Sequence, residues 1–237
     1  MSRKERSFGI SASTLKLFAV FSMLVDHTGA TVIYTLCSSP AVRADARLYN
    51  TLVRLYSMMR AFGRLAFPIY CFFIVEGFLH TRSAAKYAER LFIFALISEI
   101  PFDFALKKNW FYPSKQNVYF TLLFGLLAIW GFAACEGTET IQLLVMVAAM
   151  QIATLMNTDY GMRGVFLIEI LYILRHSKLY QCIGGAAVIS WERWAPLSFI
   201  PLYFYNGKRG LRLKYFFYAF YPVHLLILGI LKRCVKL

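Results

Sequence analysis

A carboxylate and an imidazole stand side by side within the first apolar stretch of the sequence. Asp26 and His27 lie deep in the segment at about 15–36, which is long enough to cross a membrane. An ionisable group at the bilayer centre costs about 2.5–3.5 kcal/mol, so such residues are usually functional. His27 is the candidate general base because imidazole exchanges a proton near neutral pH, and Asp26 is expected to assist it. The alternative is a structural histidine held by a neighbouring carbonyl group.

Lys16 precedes His27 on the same predicted helix. The two residues are separated by about three helical turns, so they share one face and lie about 16 Å apart along the axis. Lys16 is the nearer of the two to the membrane surface. A cation at the rim and an imidazole at depth suit a long anionic cosubstrate whose reactive end reaches inward.

A second polar group closes the next apolar segment. Glu76 and His80 are spaced i,i+4 and therefore share a helix face. This spacing could ligate a metal together with one further ligand. The chain has only 4 histidines and no second histidine at a ligand interval, so we expect no metal. A structural ion-pair cluster with Arg82, Lys86 or Arg90 is favoured instead.

Other polar residues lie within or beside the remaining apolar segments. Glu99 and Asp103 are again spaced i,i+4, across Pro101, and His224 follows a second proline. Several such groups on different segments predict one shared interior site. The residues predicted to line or support it are Glu76, His80, Glu99, Asp103, Asn117, Asp159, Tyr160 and His224.

The composition sets the fold class. Of the 237 residues, 59% are hydrophobic and 16% are charged, which is more apolar than a typical soluble chain. A spanning helix needs about 20 residues, so the length holds at most about eight or nine spans and no separate soluble domain. We therefore predict an all-α integral membrane protein, with residues 1–237 forming a single bundle of about eight to nine transmembrane helices.

The apolar pattern gives approximate helix positions. The predicted segments are 15–36, 62–79, 87–106, 118–134, 141–156, 164–174, 179–190, 194–205 and 215–231. The segment at 62–79 is expected to be interrupted by Pro68. The segment at 164–174 is short. Those at 179–190 and 194–205 are also short or broken by proline, and these two are expected to tilt, pair or re-enter. Arginines alternate with apolar residues at 46–60, which predicts either an interfacial amphipathic helix or a loop helix.

The charge balance points to anionic partners. The chain has 26 Lys and Arg residues against 12 Asp and Glu, a net charge of +14. In a soluble protein this excess would suggest nucleic acid. Here the basic residues stand mostly between apolar segments, so membrane lipids or an anionic cosubstrate are expected and nucleic acid is not. The loops on both sides are equally basic, which leaves the orientation open.

An ordered set of motifs along nearly the whole chain resembles the TraX family, membrane proteins named for N-terminal acetylation of conjugative pilin. The motifs are Leu15-Lys16, Asp26-His27-Thr28-Gly29, Gly63-Arg64-Leu65-Ala66-Phe67-Pro68, Glu76-Gly77-Phe78, Tyr87 to Arg90, Ser98-Glu99-Ile100-Pro101-Phe102-Asp103, Asn117, Asp159-Tyr160-Gly161, Asn206-Gly207 and Tyr221-Pro222-Val223-His224.

The family in turn resembles a wider superfamily of transmembrane acyltransferases. Its O-acetylating branch has an arginine where this chain has Lys16, at the same distance from the histidine. Lysine keeps the charge but lacks the planar fork of arginine, so other arginines are expected to help hold phosphates. Glu76 stands where that branch has a serine.

The resemblance implies transfer of an acyl group, most simply acetyl, from acetyl-CoA or another acyl-CoA to an amine or a hydroxyl. The acceptor would be a pilin N-terminus, another protein, a glycan or a lipid, at the bacterial inner membrane. His27 would act directly as base or carry the acyl group itself. The cations expected to bind the donor phosphates are Lys16, Arg64, Arg82, Lys86 and Arg90. Two alternatives are a transporter or flippase and a non-catalytic envelope assembly partner.

Overall fold

The computed structural model describes residues 9–107 and 109–236, and every regular element within them is helical. The α-helices are α1 Ala12–Thr28, α2 Tyr34–Ser38, α3 Pro40–Ala44, α4 Ala46–Gly63, α5 Ala66–His80, α6 Ala84–Leu106, α7 Val118–Ala134, α8 Glu139–Leu155, α9 Gly161–Ile173, α10 Lys178–Val188, α11 Phe199–Tyr203 and α12 Lys214–Lys236. Shorter π and 3-10 turns connect some of them.

Three helical segments in the described part of the chain are long and apolar enough to cross a membrane. They are Ala12–Ser38, Ala46–His80 and Lys214–Val235. Helices α7 and α8 are apolar but shorter. The prediction of an all-helical protein with helices able to span a membrane is confirmed, and the number of eight to nine spans stays a prediction. The helix positions also agree closely with the apolar segments, except that 194–205 contains only a 3-10 turn and the short helix α11.

Helix α1 carries Asp26 and His27 and continues through a π-helical turn into α2. Ser11 caps its start by accepting a hydrogen bond from the backbone N–H of Thr14 at 3.3 Å. The π-helical turn, Gly29–Ile33, begins just after His27, and Thr31 donates to the carbonyl of His27 at 2.6 Å. Such π turns inside long helices are frequent at functional sites.

Helix α4 packs antiparallel along α1 instead of lying alone in the interface or a loop. The hydroxyl of Ser22 donates to the carbonyl of Phe62 at 2.8 Å, and Met59 packs beside Gly29. A break at residues 64–65 separates α4 from α5. The predicted interruption at Pro68 is wrong, because Pro68 lies in the first turn of α5, where proline is tolerated.

Helices α6 and α12 each contain an internal proline, and the two pack against each other where Phe104 meets Gly229. Pro222 has no N–H and so leaves the carbonyl of Tyr218 without its helical donor. The hydroxyl of Tyr119, on α7, donates to that carbonyl at 3.0 Å. The carbonyl that Pro222 leaves without a helical donor therefore receives a hydrogen bond from a neighbouring helix.

The helices around Asp26 and His27 have fixed relative directions. Lys16 lies over the ring of Phe73 at 4.5 Å and near the ring of Phe217 at 5.8 Å. Asp26, near the end of α1, lies beside Arg64, which stands just before α5, whereas Lys16 and Phe217 lie near the starts of α1 and α12. Helices α1 and α12 thus begin at the same end of the bundle, whereas α5 runs the opposite way. Helices α7 to α10 pack behind α5, with Gly164 of α9 against Phe67.

Candidate active site

A cavity of about 910 Å³ lies between α1, α4, α5, α6 and α12. It is lined by Lys214 near the start of α12 and by Lys232 near its end, which are about 27 Å apart along the helix. The lining therefore extends over a length comparable to the hydrocarbon core of a bilayer, about 30 Å. His27, which contacts His224, lines the cavity at a level between Lys214 and Lys232.

One end of the cavity, here called the Lys16 end, is formed by Lys16, Glu76, Arg90, Arg209 and Lys214. Four of these five side chains are cations. Within residues 9–107 and 109–236, none of the four lies at salt-bridge distance from a carboxylate. Glu76 offsets one of the four positive charges, so the described residues leave the Lys16 end with an excess of positive charge.

Tyr205 belongs to the same end and lies beside Glu76. Burial and the Glu76 carboxylate raise the pKa of Tyr205 to about 12, so its hydroxyl stays protonated and can donate. The loop that carries Arg209 is fixed to the start of α1, because the N–H groups of Ala12 and Ser13 donate to the carbonyls of Lys208 and Arg209 at 2.8 and 3.1 Å. The loop therefore holds its cations at the mouth of the cavity.

The other end, here called the Arg64 end, is formed by Asp26, Arg60, Arg64, Lys115 and Asp159. Arg60 and Arg64 donate to the two oxygens of Asp26 at 2.6 and 3.4 Å. Lys115 pairs with Asp159 at 3.0 Å. Arg60, Arg64 and Lys115 therefore each have a carboxylate partner.

Further contacts tie the Arg64 end to the helices behind it. Arg64 also reaches Glu192 at 3.4 Å and the hydroxyl of Tyr160 at 3.5 Å. Tyr160 has a left-handed backbone conformation, with φ of 66°, and its ring stacks on Phe67. This network links the break between α4 and α5 to the start of α9.

His27 is supported by a second histidine. Its Nδ1 lies 2.7 Å from Nε2 of His224, and the two rings are nearly parallel at 16°. The Nδ1 of His224 donates to the carbonyl of Phe220 at 2.7 Å. Asp26 is expected from the sequence to assist or orient His27. In the structure Asp26 binds the two arginines, and the hydrogen-bond partner of the His27 ring is His224.

The comparisons with known proteins agree with the motifs. A family model described as TraX protein matches residues 11–232. The chain belongs to the TraX family. A curated relative, "Probable fimbrial assembly protein FimC, serogroup H1" of Dichelobacter nodosus, is 28% identical over an alignment of 253 residues that covers 94% of this chain and 96% of the relative. No solved structure matches the chain. The predicted family membership is confirmed.

The TraX fold brings many of the predicted site residues into one cavity. Those that line it are Lys16, Asp26, His27, Arg64, Glu76, His80, Arg90, Asp159 and Tyr160. His224 is only 4% exposed and lies behind His27. Glu76 and His80 are 4.0 Å apart, and in the described residues no group of three or more His, Cys, Asp or Glu side chains is placed to hold a metal.

Two predicted phosphate ligands lie elsewhere in this TraX protein. Arg82 and Lys86 are exposed and do not line the cavity. Arg82 precedes α6, and Lys86 is in its first turn, whereas Tyr87 and Arg90 line the cavity. Successive helical residues differ by about 100° in direction, so Lys86 turns away when Tyr87 faces inward.

Three further predicted residues support the helix ends rather than the cavity. Asn117 caps α7, accepts from the N–H of Tyr119 at 2.9 Å and donates to the carbonyl of Ala95 at 2.7 Å. Its backbone N–H donates to Glu99 at 2.8 Å. Asp103 is buried and accepts from the N–H of Tyr112 at 2.5 Å. Their polar groups serve the turn between α6 and α7.

Sequence reasoning missed the residues that complete both ends of the TraX cavity, namely Arg60, Lys115, Glu192, Arg209 and Lys214. Arg60 and Arg64 had a readable signal, since two arginines spaced i,i+4 beside Gly63 can grip one carboxylate. A side chain on Gly63 would collide with Asp26, which explains why glycine stands there. Arg209, in a loop, and Lys214, at the start of α12, had none, because their position against the other helices cannot be read from their charge.

Proposed function

We propose that this protein is a membrane-embedded acyltransferase that moves an acyl group, most simply acetyl, from an acyl-CoA to an amine or a hydroxyl. One observation carries the proposal: an excess of cations at the Lys16 end and an imidazole held by a second histidine line the same cavity. Such a cavity suits a polyanionic donor whose reactive end lies well away from its phosphates.

The donor is assigned to the Lys16 end. Coenzyme A carries its phosphates at one end and its thioester at the other, joined by a long flexible arm. Lys16, Arg90, Arg209 and Lys214 offer charge-assisted hydrogen bonds to phosphate oxygens. Lys16 and His27 are about 16 Å apart along α1, a separation that the arm can bridge.

His27 is assigned as the general base. The acceptor nitrogen or oxygen attacks the thioester carbonyl while its proton passes to His27. The bond from the acceptor to the carbonyl carbon forms, the carbon–sulfur bond breaks, and the departing thiolate takes the proton from His27. General-base catalysis of this kind contributes about 10²–10⁴-fold to the rate.

The setting of the reaction is a bacterial inner membrane. The shorter apolar helices would join the three long segments in one bundle of about eight or nine spans. The acceptor is proposed to be a pilus subunit, since the relative is named for fimbrial assembly and the N-terminus of a protein is an amine. A glycan or lipid acceptor has the same nucleophilic chemistry.

The direct test uses purified protein in lipid nanodiscs with radiolabelled acetyl-CoA. We expect saturable binding and slow hydrolysis, or transfer when a pilin N-terminal peptide is supplied. His27→Ala should abolish turnover. It should leave donor binding within about twofold of the wild type, because His27 lies about 16 Å from Lys16 along α1. His176→Ala, an exposed histidine outside the cavity, is the matched control. Absence of acetyl-CoA binding to the wild-type protein would contradict the proposal.

A transporter is the second candidate, because the cavity is lined by residues near both ends of α12, Lys214 and Lys232. In that case an anion would pass between the ends without any covalent change. Uptake of labelled acetyl-CoA or of a simple phosphate ester into proteoliposomes, without formation of free coenzyme A, would favour transport. Release of free coenzyme A that requires His27 would favour the enzyme.

A further inference from the structure

The contact with His224 determines which ring nitrogen of His27 carries a hydrogen and which carries a lone pair. Nδ1 of His224 lies 2.7 Å from the carbonyl oxygen of Phe220, which can only accept a hydrogen bond. Nδ1 of His224 therefore carries the hydrogen. In a neutral imidazole the other nitrogen is then an acceptor, so Nε2 of His224 offers a lone pair to His27.

The neutral form of His224 follows from its surroundings. Its side chain is 4% exposed and lies between the rings of Phe220 and His27, both nearly parallel to it at 16°. The nearest carboxylate on α1, Asp26, is engaged by Arg60 and Arg64. A positive charge placed there would be buried without an anionic partner, which is costly.

We infer that His224 is a positioning residue that fixes the tautomer of His27, so that His27 donates through Nδ1 and receives the acceptor's proton at Nε2. This inference rests on the proposed function for the role of His27 as base. Nδ1 of His27 lies 2.7 Å from Nε2 of His224 and must supply the hydrogen of that bond. Nε2 of His27 then carries the lone pair.

The arrangement also holds His27 in place as it changes charge. When Nε2 takes the proton, the bond from Nδ1 to His224 is kept, so the ring does not turn during the reaction. The ring of Tyr221 packs edge-on against His27, with centroids 5.9 Å apart, and closes another side. Among the described residues, no partner of Nε2 of His27 is seen that would compete with a substrate.

The tautomer is measured directly by ¹⁵N NMR of the full protein labelled at histidine, in nanodiscs at mildly alkaline pH. The His27 resonances are assigned by their loss in His27→Gln. We expect a protonated Nδ1 and an unprotonated Nε2 in the wild type. His224→Leu should lose this preference, whereas His224→Gln, which can place an amide oxygen near the position of Nε2, should largely keep it.

Enzyme kinetics provide a second test of the positioning role of His224. We expect His224→Leu to lower kcat by about 10–100-fold, the usual cost of removing the support of a functional imidazole, with donor affinity within about twofold. His224→Gln should recover most of the loss, and His176→Leu should change nothing.

The inference and the proposed function can fail separately. A protonated Nε2 on His27 in the wild-type protein would overturn the inference, as would a normal kcat in a folded His224→Leu variant. The tautomer is read without any turnover. If acyl transfer is absent while the expected tautomer is found, the proposed function fails and the assignment of hydrogen positions stands.

Discussion

The two ends of the cavity carry similar numbers of basic residues and use them differently. At the Arg64 end Arg60, Arg64 and Lys115 each have a carboxylate partner, and the pairs of Asp26 with the two arginines tie α1 to α4 and to the break that follows it. At the Lys16 end four cations face Glu76 without a salt bridge in the described part of the chain. A count of basic residues alone would treat the two ends as nearly alike, but the pairing of these residues assigns a structural role to one end and ligand binding to the other.

The largest expected effect tests the structural role of the Arg64 end. Asp26→Ala leaves Arg60 and Arg64 facing each other in a partly buried place, with side chains 30% and 17% exposed. Removing one partner of a buried ion pair costs about 3–5 kcal/mol, so we expect a large loss of stability. Unfolding by SDS titration in mixed micelles measures it.

The control for this change is Glu89→Ala, which removes an exposed carboxylate from α6. Its effect should stay within about 0.5 kcal/mol, as for most surface substitutions. An Asp26→Ala variant as stable as Glu89→Ala would show that the ion pairs at the Arg64 end do not hold α1 to α4.

The next effect tests ligand binding at the Lys16 end. Arg209→Ala or Lys214→Ala should weaken acetyl-CoA binding about tenfold each, since a charge-assisted hydrogen bond contributes about 1.5–3 kcal/mol. Stability should change little, because neither side chain has a salt-bridge partner among the described residues. Isothermal titration calorimetry in nanodiscs at two salt concentrations measures the affinity and its electrostatic part.

Arg82→Ala and Lys86→Ala are the matched controls, because both remove an exposed cation outside the cavity. Donor affinity should stay within about twofold of the wild type, as expected for screened surface charges. If these variants weaken binding as strongly as Arg209→Ala, the donor phosphates lie outside the cavity and the sequence-based assignment was the better one.

The positions of these residues show how much of the site the sequence alone could predict. Lys16 and His27 share a helix face by periodicity alone, and both line the cavity as expected. The choice between Lys86 and Arg90 depended on which face of α6 turns inward, which only packing decides. Asp26 was read as the partner of its sequence neighbour His27. Its actual partners come from α4 and the α4–α5 break, and His27's partner comes from α12, contacts set by tertiary structure.

The smallest expected effect tests whether a cation that already has a carboxylate partner contributes to donor binding. Lys115 and Asp159 form an ion pair at the Arg64 end with side chains 36% and 32% exposed. Pairs this exposed contribute about 0–1 kcal/mol, so Lys115→Ala should lower stability only slightly. It should leave acetyl-CoA affinity unchanged, since its charge is already neutralised by Asp159.

The measurement is the same calorimetric titration, run beside Arg209→Ala. Both variants remove one positive charge from the cavity wall, so any difference in donor affinity comes from the pairing of that charge. Equal losses of affinity would mean that the donor senses the total charge of the cavity. In that case the division into a paired and an unpaired end would not determine where the phosphates bind.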